Sequence, residues 1–211
     1  MANSGIQKWI RPAIAALPSK RKLGLAFILL LVFLVVATPL FNRWMYPLNY
    51  EEKILYSAET TGADPFLVMA IIRVESKFKP DVESHAGAQG LMQLTPNTVE
   101  WVVERGKFSP AFKDEVHDPA INIHMGSWYI SGLLKEFDGN KIAAIAAYNA
   151  GPGNVKKWLE EGRWDGTRRN LGQIPFGETR HYVQRVVFFQ QKYRALYSHL
   201  IKERDTFTRP Q

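Results

Sequence analysis

The sequence contains no cysteine. That excludes a disulfide framework, a thiol nucleophile and a lipidated-cysteine anchor, and it suits an oxidising exterior without requiring one. Histidine is sparse: the five present show no HExxH or other paired spacing, so no metal site and no cofactor are expected. Gly151-Pro152-Gly153-Asn154 lacks the Lys-Ser/Thr of a phosphate-binding loop. Strand signals are few, and there is no internal repeat or low-complexity tract. Acid is missing from the start of the chain. Residues 1–22 hold Lys8, Arg11, Lys20, Arg21 and Lys22 and no Asp or Glu, which leaves 22 of the 27 basic residues against all 20 acidic ones. The overall charge of +7 is therefore concentrated before residue 23. A nucleic-acid binder would carry that excess on its folded domain, so nucleic acid is not expected as a partner.

Directly after the basic cluster the chain becomes apolar. Residues 23–41 are uncharged and rich in Leu, Val and Phe. As a helix they would reach roughly 28 Å at about 1.5 Å per residue, close to the hydrocarbon thickness of a bilayer. Pro39 falls near the end, where a kink or stop is tolerable. With no polar face, a buried core helix is disfavoured. The reading is a basic cytoplasmic tail (1–22), a transmembrane anchor (23–41) and a linker (42–50), with the rest exported because Lys20-Arg21-Lys22 stays cytoplasmic. Trp44 and Tyr46 would sit in an interfacial aromatic belt. A cleavable signal is the rival, with Val35-Val36-Ala37 as a passable cleavage site. The long polar start and long apolar stretch weigh against it.

The remainder reads as a series of helices. The first covers residues 51–60, with Ile54, Leu55 and Ala58 on one face. Asp64-Pro65, Thr95-Pro96 and Asp118-Pro119 each pair an N-cap with proline at the first helical position. They open helices running to about Glu75, Glu104 and Phe137. The run Phe66 to Ile72 is apolar on all sides, which makes its helix central. Asp138-Gly139-Asn140 is a turn, residues 141–149 an Ala-rich helix, and 154–159 a short one. Residues 160–177 read as a loop, and 178 to about 202 as a long amphipathic helix before a fraying tail at 203–211. The expected fold is mainly α: one helical domain, 51–202, preceded by one N-terminal transmembrane helix.

Four segments can carry chemistry. Glu75 ends the apolar helix within Arg73-Val74-Glu75-Ser76-Lys77-Phe78. Burial and the partial negative charge of a helix C-terminus both push such a carboxyl toward its neutral form, fit to protonate a leaving oxygen. A solvated surface glutamate is the plainer alternative. Ser84-His85-Ala86-Gly87-Ala88-Gln89-Gly90-Leu91-Met92-Gln93 offers glycines able to take positive φ, with Ser84 and Gln93 to present polar groups. An ordinary interhelical loop would look similar. Ala147-Tyr148-Asn149-Ala150-Gly151 places a phenol and an amide at a helix end, or simply a core tyrosine and a capping asparagine. Ile174-Pro175-Phe176-Gly177-Glu178-Thr179-Arg180-His181-Tyr182-Val183 opens the last helix, where Glu178 also complements the helix dipole.

These segments, with Asn122-Ile123-His124-Met125-Gly126-Ser127-Trp128-Tyr129 between the second and third, resemble in order the catalytic domain of the soluble (Slt) type of lytic transglycosylases, relatives of goose-type lysozyme. The resemblance covers about residues 63–193. It implies a lysozyme-like helical fold and peptidoglycan glycan strands as the partner. It also implies cleavage of the β-1,4 bond between N-acetylmuramic acid and N-acetylglucosamine, leaving a 1,6-anhydromuramoyl end. Glu75 would then be the single acid and base, so the second carboxylate of most glycosidases is not required. Ser76, Ser84, Gln93, Tyr148 and Asn149 would contact sugar or orient Glu75, and Glu178 with Tyr182 would form a second cleft wall. Where many relatives have methionine, this chain has Thr95, which also looks like an N-cap. Of the six tryptophans, Trp101, Trp128, Trp158 and Trp164 lie in the domain and offer stacking faces, with Trp101 and Trp128 read as core or rim. Asp81 or Glu83 could place a water. Two other functions remain open: a lysozyme-type hydrolase on the same fold, or a non-catalytic scaffold for wall binding or for wall-synthesis or secretion machinery.

Overall fold

The computed structural model describes residues 20–208 and divides the chain into two compact units, with the boundary after Pro47. In the first unit, helix α1 (Lys20–Met45) is long and apolar enough to cross a membrane, with mean hydropathy 2.8 over its most apolar 18 residues. Leu25, Phe27, Leu29 and Phe33 are exposed along it. The helix continues through Pro39 to Met45, so the linker expected at 42–50 begins later than the sequence indicates.

The second unit holds α2 (Glu51–Thr61), α3 (Pro65–Glu75), α4 (Pro96–Gly106), α5 (Pro119–Glu136), α6 (Lys141–Ala150), α7 (Pro152–Glu160) and α8 (Gly177–Thr208). Single 3-10 turns occur at Pro110–Lys113 and Leu171–Gln173. Among the described residues there is no named strand, only two isolated bridges, Glu83 to Gln89 and Gln89 to Leu94.

The three Xaa-Pro starts are real caps. Asp64 accepts from Phe66 N, Thr95 from Thr98 N, and Asp118 from Ala120 N and Ile121 N. Each satisfies N–H groups that have no partner inside the helix. Asp64 also ties α3 to α8, since Gln190 Nε2 donates to its carboxylate at 2.8 Å and Arg194 pairs with it. As its composition requires, α3 is the core helix: Phe66 to Ile72 and Val74 are all buried. It packs chiefly against α8, whose Tyr182, Val183, Val186, Val187, Gln190 and Tyr193 face inward. Helix α2 lies against α5, and α6 bridges α5, α7 and α8.

Three sequence expectations change. Helix α7 starts at Pro152, not Asn154, because Gly151 (φ +85°) ends α6 and leaves proline at the first position of the next helix. Helix α8 continues to Thr208, past the expected fraying point. Trp158 and Trp164 are 3% and 1% exposed and offer no face to a sugar. The first is wedged against Phe176, with centroids 4.9 Å apart, and the second pins the 160–177 loop by donating to the Thr167 carbonyl.

Candidate active site

Glu75 is the last residue of α3, and the chain then turns sharply. Lys77 and Phe78 both adopt left-handed φ (54° and 64°), a conformation that costs a non-glycine residue about 1 kcal/mol or more. The turn is held because it buries Phe78 against Tyr193. Glu75 is thereby fixed, half-buried, with its carboxyl toward α8 and α6.

There the Tyr182 hydroxyl donates to Glu75 Oε1 at 2.7 Å. Burial raises the Glu75 pKa to about 7, since a charged carboxylate would lose its water. The Tyr182 hydrogen bond and the charge of Arg185 oppose the rise, and the charge of Glu178 adds to it. Arg185 stands one turn after Tyr182 on α8 and donates to the Val74 carbonyl at 3.4 Å. The phenols of Tyr148 and Tyr182 are held well above their usual pKa, first by burial and then by the Glu75 charge. Both therefore remain protonated donors at neutral pH.

The glycine-rich loop is anchored from beneath by α5. Buried Asn122 accepts from Met92 N at 2.7 Å and donates to the carbonyls of Gln89 (3.0 Å) and Val116 (2.9 Å). Gly90 (φ +77°) passes so close that a Cβ there would lie 2.3 Å from Asn122 Nδ2. One turn on, a Cβ at Gly126 would lie 2.4 Å from Met92 Sδ. The Asn122 and Gly126 spacing is thus a mould for the loop. The loop is fixed from the other side by Tyr148, whose hydroxyl donates to the Met92 carbonyl at 2.8 Å.

The other residues singled out from sequence hold the walls together. Gln93 (φ +48°) donates from Nε2 to the carbonyls of Val82 (2.8 Å) and Gly90 (3.0 Å). Ser84 Oγ accepts from Ala88 N at 3.0 Å. Asn149 Oδ1 accepts from Thr179 Oγ1 at 2.7 Å, joining α6 to α8. Ser76 is buried and its hydroxyl donates to the Ile72 carbonyl of its own helix at 3.2 Å. Glu178 is exposed and reaches Glu75 through charge, and Asp81 and Glu83 are also exposed. Sequence reasoning missed Arg185, Thr179 and the Asn122 anchor. Asn122 stood in a quoted motif, but its partners lie in another segment. A separate cavity of about 600 Å³, lined by Tyr56, Phe108, Phe112 and His124 among others, includes none of these residues. No group of three or more His, Cys, Asp or Glu able to hold a metal occurs among the described residues.

Residues 52–170 match the family model of the transglycosylase SLT domain. The chain belongs to the SLT transglycosylase family. The soluble lytic murein transglycosylase of Escherichia coli is 39% identical over 157 residues, covering 71% of this chain and 23% of that protein. The membrane-bound lytic murein transglycosylase C of Haemophilus ducreyi is 32% identical over 158 residues, covering 64% of this chain and 43% of that protein. The structure of the 70 kDa soluble lytic transglycosylase of Escherichia coli aligns with a TM-score of 0.68 at 33% identity, covering 73% of this chain and 25% of that one. Its complex with bulgecin A aligns with a TM-score of 0.66 at 34% identity, covering 76% and 26%. The lysozyme-like helical fold expected from the motifs is therefore the fold of this SLT domain. The chain spans about a quarter of the length of the soluble relatives it matches.

Proposed function

We propose that this SLT domain is a membrane-anchored peptidoglycan lytic transglycosylase. It cuts the β-1,4 bond between N-acetylmuramic acid and N-acetylglucosamine and closes the muramoyl residue into a 1,6-anhydro ring. The observation that carries this reading is the Glu75 carboxyl, half-buried at the end of α3 and bonded on one oxygen by Tyr182, with its pKa pushed up to about 7 by burial. Near neutral pH a large fraction of Glu75 carries its proton and can give it to the glycosidic oxygen. The resulting carboxylate, still held by Tyr182, then takes the proton of the muramoyl C6 hydroxyl as that oxygen closes on C1. Donor and acceptor are one group, so the proton count balances without water. The acid whose charge acts on Glu75 is the exposed Glu178. An inactive form of the Pseudomonas aeruginosa relative carries a Glu-to-Gln change, in line with an essential carboxyl.

Tyr148, Asn149, Gln93 and Ser84 would line the glycan groove, Glu178 and Tyr182 its opposite wall, and buried Ser76 would help hold the end of α3. Helix α1 would cross the bilayer with Lys20-Arg21-Lys22 on the cytoplasmic side and the domain outside, facing the wall.

Mass spectrometry of the products released from purified sacculi tests this. Anhydromuropeptides, lighter by one water than hydrolysis products, are expected from the wild type and none from Glu75→Gln. Hydrated ends would indicate a lysozyme-type hydrolase. No release by the wild type would point to a non-catalytic scaffold.

A further inference from the structure

The cavity of about 600 Å³ apart from the Glu75 site lies between α2, the start of α5 and the segment after α4. Its wall is a run of rings. Phe108 meets His124 edge-on, with centroids 5.4 Å apart, and lies 6.0 Å from Phe112, while Tyr56 lies 6.3 Å from His124. Ala120 and Ile121 extend the apolar lining. Tyr56 is 60% exposed, so the wall runs out to the surface. Burial lowers the His124 pKa, so that ring adds no charge at neutral pH.

The cations of the lining are Lys53 and Lys107, and its one acid is Glu52. Neither lysine is in an ion pair among the described residues. Lys107 caps α4 in a left-handed conformation (φ 54°), where glycine is usual. A side chain kept there against its preference sets a cation at the cavity, and such strain collects at functional sites. Rings beneath two unpaired ammonium groups suit an anionic amphiphile. A small anion would leave the rings uncovered, and an uncharged apolar ligand would leave both lysines unused. Only residues 46–50 separate α1 from α2 in the chain, and Glu52, Lys53 and Tyr56 belong to the first two turns of α2. With α1 across a bilayer, as proposed above, a linker of that length reaches at most roughly 20 Å. Lipid headgroups are therefore within the reach of this face.

We propose that this cavity binds an anionic phospholipid of the bilayer that holds α1. The phosphate lies between Lys53 and Lys107, and the tops of the acyl chains lie on Tyr56, Phe108 and Phe112. The inference rests on reading α1 as a membrane anchor and not on the chemistry at Glu75. Two cations strengthen binding to an anionic surface by only about fivefold each. The site is occupied because the tether keeps lipid at high effective concentration, and without α1 it does not hold the domain on a membrane.

The test places the full chain in nanodiscs of phosphatidylcholine, alone or mixed equally with phosphatidylglycerol, and follows hydrogen exchange by mass spectrometry. Phosphatidylglycerol is expected to slow exchange roughly fivefold at residues 51–57 and 107–114 and to leave 185–192 unchanged. Lys53→Gln combined with Lys107→Asn, where asparagine tolerates the left-handed cap, is expected to abolish the slowing. Glycerol phosphate added to phosphatidylcholine discs is expected to have no effect. Equal slowing by glycerol phosphate would mark a small-anion site and overturn the lipid assignment. Slowing spread evenly over all exposed segments would mark general attraction to a charged surface and overturn it too. No slowing at all would leave the cavity to a protein partner, again overturning it. Discs that exclude the chain remove the anchor reading and the lipid site with it. Discs that hold the chain without the phosphatidylglycerol effect remove only the site. Neither result bears on cleavage, which is judged on sacculi.

Discussion

At Glu75, burial favours the neutral acid while Tyr182 and Arg185 favour the carboxylate. In the proposed mechanism the balance near pH 7 serves an acid that must also act as base, because a donor too weak or too strong would fail at one of the two transfers. Tyr182→Phe deletes a hydrogen bond to the charged form. It is therefore expected to raise the Glu75 pKa and move the alkaline limb of the kcat/KM profile to higher pH, readable in a pH series of muropeptide release. The same balance affects stability. The folded carboxyl has a pKa of about 7, and the unfolded one about 4.3. Between those values the folded state holds more protons, so stability falls as pH rises through the window and stays reduced above it. Glu75→Gln removes that cost. Thermal melts are expected to show it more stable than wild type at pH 8, by on the order of 3 kcal/mol, and no more stable near pH 4.

The elements around the site differ in how far sequence revealed them. Asp64-Pro65, Thr95-Pro96 and Asp118-Pro119 carry their own start instructions, and all three helices begin there. Pro152 was ambiguous, because proline after a C-terminal glycine reads equally as a stop for one helix and a start for the next. The tail of α8 reads as frayed from its position alone, yet no glycine or proline intervenes before Pro210, and the helix runs on to Thr208. Tertiary facts were not legible. Trp158 and Trp164 look like sugar platforms by type and are core by burial, while Trp101 is the exposed one. Tyr182 reaches Glu75 across 107 residues, a distance no local pattern encodes. The loop from Val82 to Leu94 depends on α5 in the same non-local way. Asn122→Ala would leave the buried Met92 N–H and Val116 carbonyl without a partner, since the Gln89 carbonyl keeps Leu94 N, at a cost of roughly 2 kcal/mol or more. Its melting temperature should fall by several degrees, with hydrogen exchange at Met92 accelerated before that of α3.

On the scale of the whole molecule, an apolar helix and a helical domain succeed one another in the chain, each a compact unit. Relatives of the domain include proteins named soluble and proteins named membrane-bound, so attachment is a property of what flanks the domain. The full chain is expected to sediment with membranes. A chain lacking residues 1–47 should stay in the supernatant and melt at the same temperature, as a domain with its own core does. Sedimentation of the truncated chain with membranes would contradict this.

The proposed chemistry depends on one side chain keeping its proton where ordinary glutamates have lost theirs. Carbon-13 NMR of the Glu75 carboxyl, assigned by its disappearance in Glu75→Gln and followed from pH 3 to pH 10, reads that proton directly. A midpoint near 7 is the expected result. A midpoint near the unperturbed value of about 4.3, in an enzyme that still releases anhydromuropeptides at pH 7, would contradict the account.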